Sequence, residues 1–220
     1  MMKKGPAVLA ALFLSFPSLS AQDVFSRPLN GETLPQYNAL CADLASRPVI
    51  KGIFEQTKTI KRLNRSLVSS GNFIIAAELG MVWDTRLPFP SVTAVGKDFI
   101  IQSTPRGTRS KLDAGGNETF TSLAATISAI FTGNVQSLKE NFENYFLGDG
   151  RTWALGLIPR EKAVAVFAER IILEGDAAGT ALIRSITLHE RSGDLIRYVL
   201  SGHSFPAGLS DDEKALFFLD

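Results

Sequence analysis

The chain has 220 residues, a formal net charge of +1, one cysteine and two histidines. The single Cys41 excludes an internal disulfide framework and a cysteine-based structural zinc site, and two histidines leave little room for a histidine-rich metal centre. We therefore expect neither a metal nor a cofactor. The near-neutral charge argues against a nucleic-acid binder, which normally carries a basic surface.

The first segment has the three-part layout of a secretory signal peptide. Lys3 and Lys4 form a basic start, residues 7–16 form a short apolar run, and small residues follow as far as Ala21. This apolar run is too short to cross a bilayer of roughly 30 Å as a helix. We expect residues 1–21 to be a cleaved signal peptide, with export to the periplasm and a single domain over residues 22–220.

Hydrophobic spacing predicts one helix and then antiparallel strands in the first half of the chain. Residues 32–45 carry apolar side chains at helical spacing, and Pro48 ends the pattern. Apolar residues from Phe73 to Trp83 fall on odd positions, and this period of two puts them on one face of a sheet. A turn is predicted at residues 78–80, so the pattern does not fix the register across the whole stretch. The predicted strands cover residues 49–60, 66–76, 92–95 and 99–102, with a turn at 61–65.

The second half predicts helices followed by further strands. Residues 106–117 are polar and Gly-rich, which is typical of a loop. The predicted helices cover residues 118–131, 135–147 and 211–219, and the predicted strands cover residues 153–157, 163–173, 181–189 and 195–201. This order indicates an α+β fold, in which a curved antiparallel sheet has helices over one face or opening.

Searches for catalytic patterns fail. The chain has no Gly-x-Ser-x-Gly elbow, no phosphate-binding Gly-Lys-Ser/Thr loop and no His-Glu-x-x-His helix. A serine–histidine–acid set could be drawn from His203, Ser204 and Asp211, but such a triad is recognised by geometry and not by composition. We do not expect an enzyme.

The one local concentration of charge in the sequence is a basic turn. Lys58, Lys61, Arg62 and Arg65 lie around the predicted hairpin tip. The simplest interpretation is a solvated turn. The alternative is a contact for anionic headgroups or for an acidic partner, because clustered lysines and arginines attract both.

A series of spaced residues resembles the periplasmic lipoprotein-carrier family, the LolA-like proteins. The series extends over roughly residues 32–201, and its order is more specific than any one motif. The matching residues are Phe54-x-Gln56-x-Lys58, Ser70-Gly71-x-Phe73, Gly80-Met81-Val82-Trp83 followed by Pro88-Phe89, Trp153-x-Leu155-x-Leu157-x-Pro159, Ile171-x-Leu173-x-Gly175 and Ile186-x-Leu188-x-Glu190.

The resemblance implies an incomplete β-barrel whose helices form a lid over a hydrophobic cavity. It also implies that this cavity shields lipoprotein acyl chains in transit from an inner-membrane extractor to an outer-membrane acceptor. We expect the protein to be a monomer. The classical members of the family carry an Arg-Pro pair shortly before the strand that ends in Trp, and the arginine helps to close the lid. This chain has neither residue in the corresponding stretch, residues 76–83.

Two other functions remain open from the residues alone. One is a carrier for a different apolar or acylated molecule, such as a glycolipid, working with an inner-membrane exporter. The other is a ligand-free interaction domain in which the same apolar residues form a closed core. For the carrier, the residues expected to line the cavity are Phe54, Phe73, Met81, Trp83, Phe89, Phe99, Ile101, Ile127, Phe131 and Trp153.

Overall fold

The computed structural model describes residues 21–96, 99–104, 107–113, 129–177 and 182–218, and its largest element is a sheet. The strands are β1 Val49–Ile60, β2 Arg65–Ala76, β3 Gly80–Leu87, β4 Ser91–Val95, β5 Phe99–Ser103, β6 Arg109–Asp113, β7 Phe142–Gly148, β8 Thr152–Pro159, β9 Arg170–Asp176, β10 Leu182–His189 and β11 Leu195–Ser204. The helices are α1 Leu34–Ala45, α2 Val135–Asn141, α3 Lys162–Ala165 and α4 Asp211–Ala215. A further helical stretch covers residues 129–132.

These strands form one eleven-stranded sheet in the order β6-β5-β4-β3-β2-β1-β11-β10-β9-β8-β7. Every neighbouring pair is antiparallel. The two end strands, β6 and β7, are not paired with each other, so the sheet is an incomplete barrel. This confirms the predicted α+β fold with a curved, unclosed antiparallel sheet.

The curvature of the sheet is visible in its main core. Phe73 of β2 and Phe146 of β7 lie six strands apart in the sheet order, yet both belong to one buried cluster. That cluster also holds the apolar face of α1, including Tyr37 and Cys41. The sheet therefore wraps around α1 and the helical residues 129–141, and the face that it turns toward them is its concave face.

Cys41 is part of this core. Only 1% of its surface is exposed, and burial raises the pKa of its thiol to about 11. Gly133 lies beside it with φ +59, and a Cβ at Gly133 would lie 2.2 Å from the carbonyl oxygen of Cys41. A glycine at this position therefore allows the helical stretch to pack closely against α1.

The convex face of the sheet is covered by the two ends of the described chain. Val24 packs with Ala154 and Ile172 on the convex side of β8 and β9. At the other end, Phe217 follows α4 and is 1% exposed in a second cluster with residues of β3, β4 and β5. Both faces of the sheet are thus partly covered. Apolar residues that alternation places on the convex face are therefore buried against these end segments.

Helix α4 is attached to the sheet by Glu213. Its side chain completes a capping box with Ser210 and accepts a hydrogen bond from Lys51 Nζ at 2.7 Å. The Lys51 contact, and then the Ser210 backbone N–H, hold the pKa of Glu213 below its ordinary value of 4.5. The ionised Glu213 side chain therefore stabilises the folded state fully above pH 4.5. This stabilisation is lost as the pH falls through the lower pKa that Glu213 has in the folded state.

We expect Glu213→Ala to lower the free energy of unfolding by about 1–2 kcal/mol at neutral pH, because it removes both the cap and the ion pair. Asp212→Ala, one position earlier, should cost at most about 0.5 kcal/mol. Urea denaturation of both variants at pH 7 and pH 3 checks this. Equal losses for the two variants, or a difference that does not shrink in acid, would contradict it.

The predicted helix over residues 135–147 is wrong in its second half. Helix α2 ends at Asn141, and β7 begins at Phe142. Phe142 and Phe146 are both buried, and a spacing of four residues puts them on one face in a helix and in a strand alike. The Asn144 side chain donates to the carbonyl oxygens of Leu138 and Phe142, which stabilises the change from helix to strand.

Two other boundaries differ from the predictions. The predicted loop at 106–117 contains β6, a mostly polar edge strand that pairs with β5 alone among the described strands. The predicted strand at 163–173 begins with α3, and its extended part starts only at Arg170. The predicted helix at 118–131 lies mostly outside the described residues, and its last part falls in the helical stretch 129–132.

Candidate functional site: the concave face of the sheet

An aromatic cluster crosses four consecutive strands on the concave face. It consists of Tyr198 on β11, Phe54 on β1, Phe73 on β2 and Trp83 on β3. The ring centroid of Trp83 lies 4.8 Å from Phe54, 5.7 Å from Phe73 and 5.4 Å from Tyr198. Because Phe73 and Trp83 are directly opposite in the β2–β3 register, they share a face. We call these four residues the aromatic cluster.

Burial decreases from Phe54 to Trp83 within the aromatic cluster. Phe54 and Phe73 are 0% and 1% exposed and belong to the core, whereas Trp83 and Tyr198 are only partly buried. Burial raises the pKa of Tyr198 to about 12, so its hydroxyl stays protonated at physiological pH. The cluster therefore joins the closed core to a more accessible part of the concave face.

The indole N–H of Trp83 has no hydrogen-bond partner among the described residues. Its Nε1 atom is buried, whereas Trp153 Nε1 donates to the Asp176 carbonyl oxygen at 3.1 Å. A buried donor without a partner costs about 1–3 kcal/mol, so such groups are rare and require a reason. An oxygen atom of a bound molecule could accept this hydrogen bond.

A row of apolar side chains extends the concave face from β3 to β6. Met81, Val95, Ile100 and Leu112 lie directly opposite one another on successive strands. Directly opposite residues share a face, and Met81 lies two positions before Trp83, so the row and the aromatic cluster are on the same side. Leu112 is 62% exposed, and the other three are partly exposed.

A bulge turns His203 toward the concave face. Lys51 pairs with Ser204 but Ile53 pairs with Ser201, so β11 has one extra residue there, and Gly202 adopts φ +61. Such a bulge reverses the side to which the next side chain points. His203 consequently lies edge-on to Phe73, with ring centroids 5.9 Å apart.

The surroundings of His203 lower its pKa and so favour the neutral form. Burial lowers its pKa, a hydrogen bond to the Ile183 backbone raises it, and Arg47 lowers it further. Its Nε2 atom is buried and has no hydrogen-bond partner in the part of the chain that the structure describes. The adjoining cavity, also lined by Arg47 and Phe131, measures about 10 Å³, which is room for roughly one water molecule.

The positively charged side chain of Arg47 lies at the same end of the concave face as His203. Its side chain is 8% exposed and forms an ion pair with Asp43 of α1. The guanidinium also lies 4.5 Å from the ring centroid of Phe205. A paired, buried cation of this kind anchors the end of α1 to the segment that follows β11.

A larger cleft, of about 320 Å³, opens between α1 and the β7–β8 turn. Its lining includes Gln36, Leu40, Phe146 and Trp153. Trp153 is 3% exposed and fixed by its hydrogen bond to Asp176, so it forms a rigid wall of this cleft.

The structure brings together six of the ten residues expected to line a cavity. Phe54, Phe73, Met81, Trp83, Phe131 and Trp153 all belong to the main core cluster or pack against it. Phe131 is 5% exposed, so it is a core residue. Ile127 lies outside the described residues.

The structure does not bring the other three residues to this face. Phe89, in the β3–β4 turn, is 82% exposed. Ile101 is directly opposite Ala94, which is opposite Val82, and Val82 is next to Trp83, so Ile101 points to the convex side. Phe99, two positions before Ile101, packs in the same convex cluster as Phe217.

Several concave-face residues were missed by the sequence reasoning. Tyr198 could have been found from the alternation of Ile196, Tyr198 and Leu200 along a predicted strand. The inward direction of His203 has no signal of this kind, because it depends on a bulge. Ile100 could not be preferred over Ile101, since both are apolar and only the pairing register separates them.

The basic turn is partly neutralised. Lys58 Nζ lies 2.9 Å from Glu190 Oε1, and the Lys61 backbone N–H donates to Asp194 Oδ1 at 3.0 Å. Arg62 and Arg65 are exposed and form no ion pair within the described residues.

Within the described part of the chain, no group of histidine, cysteine and acidic side chains could hold a metal ion. None of the described helices is both long enough and apolar enough to cross a membrane.

No protein-family model and no curated protein sequence matches the chain. Among solved structures, it is similar to a DUF1329 family protein from Desulfovibrio piger, with 12% identity, coverage of 84% of this chain and 96% of that chain, and a TM-score of 0.47. It is similar to lipoprotein LppX from Mycobacterium tuberculosis, with 11% identity, coverage of 82% and 100%, and a TM-score of 0.45.

A third similar structure is a LolA superfamily protein from Nitrosomonas europaea, with 7% identity, coverage of 80% of this chain and 96% of that chain, and a TM-score of 0.42. The structural neighbours thus include the family that the sequence resembles. At such low identity the likeness concerns the fold.

Proposed function

We propose that this protein is a periplasmic carrier of acyl chains, and that its cargo is the acylated end of lipoproteins in transit between the inner and the outer membrane. The observation that carries the proposal is the continuous concave face, on which the aromatic cluster meets a partly exposed apolar row. This face lies inside a sheet whose end strands stay apart.

The apolar row supplies the free energy that a carrier needs. Each methylene group removed from water contributes about 0.8 kcal/mol, so an acyl chain laid along Met81, Val95, Ile100 and Leu112 would be strongly retained. The same arithmetic explains the need for a carrier, because a bare acylated protein does not cross an aqueous compartment unaided. Retention and release involve no covalent step.

The polar end of the cargo would meet a hydrogen-bond donor on the concave face. Acyl chains of lipids and lipoproteins end in ester or amide carbonyls, which accept hydrogen bonds. Trp83 Nε1 lies at the junction of the aromatic cluster and the apolar row, and no described residue accepts its hydrogen bond. A carbonyl oxygen placed at Nε1 would satisfy this donor and set how deeply the chain enters.

Further parts of the proposal concern processing and partners. We propose that residues 1–21 direct export and are removed, and that residues 22–220 act as one domain. A carrier of this kind collects its cargo from an inner-membrane extractor or exporter and delivers it to an outer-membrane acceptor. As the alternative cargo we propose a glycolipid or another free lipid, which is favoured by the absence of the Arg-Pro pair from residues 76–83.

Native mass spectrometry and organic extraction of the protein purified from its own periplasm test the proposal. We expect a mass excess that disappears on extraction, with acylated peptides or lipoproteins in the extract. A free glycolipid in the extract would support the alternative cargo. A bare polypeptide mass, together with no uptake of a fluorescent fatty acid, would overturn the carrier and leave a ligand-free interaction domain.

A further inference from the structure

Three connections between strands lie side by side at one end of the sheet. The connections β1–β2, β10–β11 and β8–β9 join strands that are consecutive in the sheet, in the order β2-β1-β11-β10-β9-β8. Since all these strands are antiparallel, the three connections lie at the same end. We call this end, residues 60–67, 160–169 and 190–194, the rim.

Contacts between neighbouring connections keep the rim together. The backbone N–H of Lys61 donates to Asp194 Oδ1 at 3.0 Å, which ties the β1–β2 turn to the β10–β11 turn. The backbone N–H of Glu169 donates to the His189 carbonyl oxygen at 2.7 Å, which ties the β8–β9 connection to the start of the β10–β11 turn. The rim is therefore one continuous surface.

Large apolar side chains are exposed along the rim. Leu63 and Leu67 are 54% and 58% exposed, and Val166 and Phe167 are 67% and 44% exposed. Single exposed apolar residues are ordinary, but several on one continuous surface mark an interaction site. Leu63, Val166 and Phe167 sit on connections between strands, and Leu67 lies near the start of β2.

Positive charge lies beside the apolar side chains of the β1–β2 turn. The rim acids Glu190 and Asp194 already accept from Lys58 and from the Lys61 backbone. Three exposed arginines, Arg62, Arg65 and Arg191, form no ion pair within the described residues. Exposed acids remain in the β8–β9 connection, at Glu161 and Glu169, so the excess of positive charge is centred on the β1–β2 and β10–β11 turns.

We propose that the rim docks on an anionic lipid surface, with the apolar side chains entering the interface and the arginines contacting headgroup phosphates. An anionic lipid surface fits this arrangement, because it is fluid and can adjust to apolar side chains on separate connections, while its headgroup phosphates attract the exposed arginines. The proposal stands apart from the carrier function, because it requires no ligand on the concave face.

Co-sedimentation of residues 22–220 with vesicles tests the docking. We expect binding to phosphatidylethanolamine–phosphatidylglycerol vesicles, weaker binding to pure phosphatidylcholine vesicles, and loss of the difference in high salt. Arg62→Gln with Arg65→Gln should lower the partition coefficient by roughly tenfold or more, since each arginine near an anionic surface contributes about fivefold. Leu63→Ser with Phe167→Ser should lower it by roughly tenfold.

Matched controls lie away from the rim. Arg184→Gln with Lys214→Gln removes the same charge from β10 and α4, and Phe218→Ser removes an apolar side chain that is 54% exposed, as Leu63 is. Both control proteins should bind as the unmodified protein does. No binding to either kind of vesicle, or equal losses for rim and control variants, would overturn the proposal. Either result would leave the extraction experiment on bound cargo unaffected.

Discussion

Replacing Trp83 with glutamate is expected to lower the affinity for a fluorescent fatty acid by about 100-fold or more. The new carboxylate would lie at the junction of the aromatic cluster and the apolar row, where an acyl chain would have to remove it from water. Burying an unpaired charge in apolar surroundings costs several kcal/mol, and each 1.4 kcal/mol is about tenfold in affinity. Fluorescence titration of the purified variant measures the loss.

The matched control places the same charge on the other face of a nearby strand. Val199 is 45% exposed on β11, next to Tyr198 but on the convex side, so Val199→Glu should leave fatty-acid affinity unchanged. Urea denaturation of both variants separates loss of binding from loss of folding. A folded Trp83→Glu protein that binds the probe as the unmodified protein does would refute the assignment of the site to the concave face.

Trp83→Phe gives a milder test of the same residue, because it removes the N–H and retains an aromatic ring. Its expected effect is a roughly fivefold loss of affinity for a fatty-acid ester, the size of one hydrogen bond. The indole N–H signals of the chain provide a direct readout, since it has two tryptophans. On adding the ester, the Trp83 signal should move downfield, while that of Trp153, already bonded to Asp176, should not.

Phe54→Ala is expected to lower the free energy of unfolding by about 3–5 kcal/mol, the largest effect on stability that we predict. The ring is 0% exposed and contacts Trp83 and Tyr198, so its removal leaves a cavity in the core that the curved sheet holds open. Urea denaturation at pH 7 measures the loss.

The neighbouring residue provides the control. Ile53 precedes Phe54 on β1 but points to the convex side, where it is 51% exposed. Ile53→Ala should change the free energy of unfolding by no more than about 0.5 kcal/mol. Similar losses at both positions would mean that the two faces of β1 are equally buried, which the assignment of Phe54 to the core does not allow.

The common face of the apolar residues in β2 and β3 could be predicted from the sequence, because it depends on neighbouring residues. Phe73, Ile75, Met81 and Trp83 fall on odd positions, and the turn at residues 77–79 preserves that parity, so the register pairs Phe73 with Trp83 and Ile75 with Met81. A period of two within one hairpin is a property of neighbouring residues, and it needs no knowledge of distant packing.

The identity of β7 could not be predicted in the same way. Phe142 and Phe146 are four positions apart, which satisfies the helical and the extended period equally. The choice is made by pairing with β8, a strand later in the chain, and by Asn144, which caps the carbonyls of Leu138 and Phe142. Tertiary contacts of this kind override local pattern.

By itself, the sequence determined where most strands lie along the chain, the buried role of Cys41 and the common face of Phe73, Met81 and Trp83. Only the tertiary structure decided that Ile101 faces away from them, that His203 faces inward, and that Ile100 and Leu112 continue the apolar row. The physical reason is that alternation fixes which residues of a strand share a face, whereas the pairing register and bulges decide which face is concave.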